Sequence, residues 1–304
     1  MCPLLAEGNP LTHVIQHRLI SYDLPWHAVF FDHFTVLSNH IIMQLLAAIL
    51  VIVLLPRAVR RRAGHDEFGR LVPTGLGNAI EGLCEALRVH VARPALGPYT
   101  DRFIPYIWSA FFFILTSNIL GLIPLSSWFV PLAKATGGLP PHALGGTATG
   151  NIMVTAALAL STLGMIVING LRIHGTSYLR HFLMGPPGLN VFIALLELIG
   201  LLAKTFALAM RLFANMIAGH VLLAVLLSFI GMAWVGLGAA GGLLISVPVI
   251  LGSVAINFLE LFVAFLQAFI FTFLSAMFIG QAVNIPHEHG HAEEAQHERA
   301  AAQE

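Results

Sequence analysis

From Phe103 to Pro286 the chain runs 184 residues with only seven Lys, Arg, Asp or Glu side chains: Lys134, Arg172, Arg180, Glu197, Lys204, Arg211 and Glu260. An ionisable group at bilayer depth costs roughly 2.5 kcal/mol or more, so the few that persist in such a run are candidate functional sites. With 57% hydrophobic and 10% charged residues, and a mean hydropathy of +0.83, the chain lies outside the range of a water-soluble domain. We expect an all-α, polytopic membrane protein. Net charge is zero with histidines neutral, which gives no reason to expect nucleic acid as a partner. Cys2 and Cys84 make neither a metal spacing nor a disulfide framework.

Residues 1–34 lack a basic region followed by an apolar core and a small-residue cleavage site, and read as an external N-terminal segment rather than a cleaved signal. A single integral membrane domain, 35–286, follows. Its first span is 35–55, "TVLSNHIIMQLLAAILVIVLL", about the 20 residues that cross a hydrocarbon core of ~30 Å. Arg57, Arg60, Arg61 and Arg62 come directly after it and place that end in the cytoplasm. In the segment 74–97, Leu76, Ile80, Leu83, Leu87 and Val91 recur at steps of three or four against Glu81, Glu85 and Arg88, which predicts an amphipathic helix on the cytoplasmic interface. Spans at 103–125 and 151–171 follow, separated by a Pro/Gly/Ser/Thr-rich loop. The turn "GPPG", Gly185 to Gly188, ends this part, and the polar tail 287–304 lies on the cytoplasmic side.

Segments 189–230 and 242–283 are each 42 residues long. An unbroken helix of that length reaches ~60 Å, about twice the bilayer core. With no turn cluster dividing the first, the reading is two long, strongly tilted helices joined as a hairpin by "GMAWVGLGAAGG".

Glu197, Lys204 and Arg211 are spaced by seven, so two heptad steps drift only about 40° and the three lie along one side of the first long helix. Asn215 and Ala218 continue that side, with Gly219 near it. His220, nine residues past Arg211, faces the opposite way, ~13 Å along the helix. On the second long helix, Asn257, Glu260, Ala264 and Gln267 form a polar stripe, and Ser275 lies near its extension. An antiparallel hairpin would set Arg211 toward Gln267 and His220 toward Glu260. A histidine and a carboxyl group can exchange a proton near neutral pH. Arginine cannot, and serves only as a fixed positive charge that can discharge a protonated acid arriving on a moving partner.

The runs "LLAKTFALAMRLFANMIAGH" and "NFLELFVAFLQAFIFTFLSAMFIG", with "SNILGLIP" earlier in the chain, closely resemble the signature regions of the a subunits of F-type ATP synthases, the stators of a membrane-embedded proton motor. The resemblance implies that Arg211 is the essential arginine facing a ring of c subunits, with Asn215 and Gln267 as polar neighbours and Glu197 in the path to the cytoplasm. It implies that His220 and Glu260 are the pair of the outer path, where some members carry Glu first and His second. Asn118 and Asn151 match polar positions of that path, and an acid some members carry nearby is Gly121 here. Lys204, Asn257 and Ser275 are further candidates, although a lysine near the cytoplasmic edge can simply snorkel.

The partners implied are the c ring, the b-subunit peripheral stalk, the remaining synthase subunits and membrane lipid. No cofactor or metal is expected. The chain has no phosphate-binding Gly-Lys-Ser/Thr loop, so it reads as a non-catalytic subunit. His287, His289, His291 and His297 read as a solvated tail rather than a metal site. The N-terminus lacks a transit-like composition, which points to a bacterial inner membrane with the N-terminus outside. A self-contained proton-coupled secondary transporter is the alternative, but no repeat relates the two halves of the chain. A structural scaffold leaves the clustered ionisable groups without an account.

Overall fold

The computed structural model describes residues 18–23, 33–59, 75–123, 148–175 and 190–284. Arg60 to Arg62, Lys134 and the loop around it, Arg180, the Gly185–Gly188 turn and the histidine-rich tail lie outside the described residues.

The first described elements are not helical. β1 (Arg18–Asp23) and β2 (His33–Ser38) form an antiparallel ribbon in which Ser21 pairs with Thr35 and Asp23 with His33. Ile20, Tyr22, Phe34, Thr35 and Val36 supply the β-branched and aromatic residues that favour strands. The ribbon is an exception to the all-α expectation, and it precedes the first membrane helix. Because Thr35–Ser38 is strand, helix α1 (Asn39–Val59) starts at Asn39 rather than Thr35. It continues through Pro56, which near a helix end removes little beyond its own amide bond.

Helix α2 (Leu76–Ala86) passes into a π-helical turn, Leu87–Ala92, then a short α-turn, Arg93–Leu96. A π turn inserts an extra residue and re-aims the side chains that follow. Leu87, Val91, Ala92 and Leu96 are all buried as a result, whereas Leu76 at the start is 81% exposed. The break falls at Gly97–Tyr99, where α3 (Thr100–Leu122) begins. Trp108 on α3 donates its indole N–H to the Cys84 carbonyl (3.1 Å) and ties the two helices together.

Helix α4 (Ile152–His174) is capped by Asn151, whose side-chain oxygen accepts from the Met153 amide at 2.9 Å. Helix α5 (Asn190–Val283) is helical throughout except at Gly238, whose φ of 69° and ψ of −169° suit glycine almost alone. The joining run expected at 231–242 is therefore mostly helix, with the break concentrated in one residue. Arms 190–237 and 239–283 lie antiparallel: Trp234 donates to Ser246 (3.3 Å), a Cβ added at Gly252 would meet Leu226, His220 approaches Glu260, and Lys204 donates to Gln281 (3.3 Å).

Phe103, Ile107, Phe111 and Ile114 of α3 pack with Ala159 and Ile166 of α4 and with Leu208, Leu212, Phe271 and Ile279 of the two arms. Among the described residues, four helical stretches are long and apolar enough to cross a membrane: His40–Val59, Leu76–Leu122, Ile152–His174 and Phe192–Val283. The chain is a multi-pass helical membrane protein.

Candidate functional site

A cavity of 210 Å³ opens where the two arms of α5 meet α3, and Asn118, Asn215, Gly219, Glu260, Ala264 and Gln267 are among its walls. Each arm supplies its residues at helical spacing. Asn215 and Gly219 are one turn apart on the first arm, while Glu260, Ala264 and Gln267 follow at steps of four and three on the second. Glu260 is 7% exposed and Gln267 5%. His220 Nδ1 lies 3.8 Å from Glu260 Oε1, so the two arms bring together the pair expected from the sequence.

Both Glu260 carboxyl oxygens, His220 Nε2 and Gln267 Nε2 are buried without a hydrogen-bond partner among the described residues. A cavity of this size with several polar walls has room for ordered water, which can bridge polar groups separated by more than 3.5 Å. Gly219 makes the arrangement possible, since a Cβ at that position would overlap the Glu260 carboxyl group.

On the wall from α3, Asn118 is 2% exposed. Its Nδ2 donates to the Ala264 carbonyl (3.2 Å), and its Oδ1 accepts from the Thr149 hydroxyl (2.9 Å). Thr149 belongs to a 3₁₀ turn, Ala148–Gly150, just ahead of α4.

The fixed charge stays outside the cavity, one turn before Asn215 on nearly the same side of the first arm. Arg211 is exposed, does not line the cavity, and makes no hydrogen bond or ion pair with a described residue. Glu197 and Lys204 are exposed as well. Lys204 extends toward the second arm, with its ammonium 5.3 Å from the centre of the Phe278 ring. Gln267, one heptad past Glu260, turns into the cavity with Asn215.

Three candidates sit elsewhere. Asn257 is exposed and Asn151 caps α4, and neither lines the cavity. Ser275 is buried against Thr162 (3.3 Å), which also meets the Tyr106 hydroxyl (2.8 Å), forming a row of hydroxyls that joins α3, α4 and the second arm. The sequence reading missed Thr149 and Thr162, because isolated threonines in a loop or an apolar helix carry no periodic signal. A count of hydroxyls on facing helices would have been the only hint.

The sequence profile of the family described as ATP synthase A chain matches residues 41–280. The chain belongs to this family. Among its relatives, "ATP synthase subunit a 2" of Prosthecochloris aestuarii is 40% identical over 264 residues, covering 86% of this chain and 72% of that protein. "ATP synthase subunit a" of Anaeromyxobacter dehalogenans is 40% identical over 266 residues, but the match spans only 60% of its length. "ATP synthase subunit a 2" of Chlorobaculum tepidum is 35% identical over 306 residues, covering 95% of this chain and 78% of that protein. The region matched to the ATP synthase A chain family starts inside α1 and stops at Gly280, so every cavity residue falls within it and the β1–β2 ribbon does not.

Proposed function

We propose that this chain is the proton-conducting stator of an F-type ATP synthase, working against a rotating ring of c subunits and held by a b-subunit stalk. The observation that carries this reading is the separation of two kinds of charge on one arm of α5. His220 turns inward to the buried Glu260, 3.8 Å away, while Arg211 is exposed on another side. The inward pair can take up and release protons, and the outward guanidinium stays charged.

In this reading the cavity is part of the outer half-path. Protons arriving by His220 and Glu260 load a ring carboxyl group, with Asn118, Asn215 and Gln267 as polar walls. After rotation, the loaded acid meets Arg211, whose positive charge favours its ionised form, and the proton leaves past Glu197. The arginine also bars a direct path between the two halves. The two arms count as two tilted crossings, giving five in all, with the N-terminus outside and the C-terminus in the cytoplasm of a bacterium.

Arg211→Ala tests the proposal. The expected result is a fully assembled complex whose ATP-driven proton pumping and ATP synthesis are both abolished. Normal pumping in vesicles carrying the variant overturns it.

A further inference from the structure

We propose that Thr149 is a positioning residue for proton transfer, acting by fixing which end of the Asn118 side-chain amide faces the cavity. This inference rests on the function proposed above.

An amide group has two N–H donors on one side and an acceptor oxygen on the other. Asn118 has both sides committed. One N–H is given to the Ala264 carbonyl, and the oxygen is held by the hydroxyl of Thr149, a side chain with no exposed surface. Ala264 is one helical turn beyond Glu260, about 6 Å along the second arm. Asn118 and Glu260 line the same cavity, and neither Glu260 oxygen has a donor among the described residues, so the N–H that Asn118 has left over is free to serve the cavity. Asn118 can present only a donor there, which is suited to an ionised Glu260 or to water between them.

Without the Thr149 hydroxyl the Asn118 oxygen would be buried with no donor, a costly state that the side chain relieves by rotating toward cavity water. That rotation removes the N–H from the wall and replaces it with an acceptor. The Thr149 hydroxyl is itself not among the cavity walls, so its effect reaches the proton path through Asn118.

The test uses the intact complex in inverted membrane vesicles and compares Thr149→Val, Thr149→Ser, Asn118→Ala and the Asn118→Ala/Thr149→Val double variant. Valine keeps the shape of threonine and removes the hydroxyl. The expected loss for Thr149→Val is about tenfold in ATP-driven pumping with normal subunit composition, and Thr149→Ser should restore the rate to within about twofold. In the Asn118→Ala background, Thr149→Val should cause no further loss, because the two act as one unit. Normal pumping in Thr149→Val overturns the proposal, as does an equal loss from Thr149→Val whether or not Asn118 is present. If Asn118→Ala pumps normally while Arg211→Ala is inactive, the positioning role fails and the stator reading stands. If Arg211→Ala pumps normally, the stator reading itself fails.

Discussion

Glu260 occupies its place because a neighbour has no side chain. Gly219→Ala would put a methyl group where the Glu260 carboxyl now lies. The carboxyl is the free end of a side chain, so it should yield by swinging away from His220 rather than by forcing the arms apart. The expected outcome is an assembled complex with proton pumping reduced about tenfold, the scale of one misplaced polar contact. Undiminished pumping would show that the 3.8 Å approach of His220 and Glu260 is not needed. This pair was legible in the sequence, because a step of nine residues set His220 opposite Arg211 and the polar stripe set Glu260 on the facing helix. The Thr149–Asn118 bond was not. It joins a turn to a helix across 31 positions, and only the packing of α3 against α4 and α5 decides that they meet.

At the level of elements, the stretch Leu76–Leu96 is fastened to the far end of the second arm. Gly280 lies against the Ala95 carbonyl so closely that a Cβ would overlap backbone, and Asn284 donates to the same carbonyl at 3.2 Å. Backbone cannot step aside as a side chain can. Gly280→Ala should therefore lower the thermal stability of the detergent-solubilised protein, by about 1–3 kcal/mol on the scale of overpacked cores. It should also speed proteolysis between Leu76 and Leu96. An unchanged melting temperature and cleavage pattern would show that the two elements separate without cost. The sequence showed an amphipathic segment here but not its docking site, since an apolar stripe says which face is buried and not against what. It likewise showed a break somewhere in 231–242, yet Gly231, Gly236, Gly238, Gly241 and Gly242 were equally fit to provide it. The β1–β2 ribbon was illegible for a related reason, because strands of six residues leave too short a pattern to stand out beside long apolar helices.

For the whole molecule, the described surface is largely bare of polar groups. Phe192, Leu195, Leu198, Leu202 and Phe206 on the first arm are all exposed, and Arg211 opens on that arm with no partner in the described chain. A stator needs its rotor: reconstituted alone in liposomes, the chain should carry no more protons than protein-free vesicles do. Robust flux from the isolated chain would favour a self-contained transporter instead. The antiparallel hairpin around Gly238 also has a consequence for timing during synthesis. His220 is made before Glu260, and the cavity has only one of its long walls until the second arm folds back. The cavity can therefore close only after the chain has been made as far as Gln267, the last of its lining residues, which sets its completion late in synthesis.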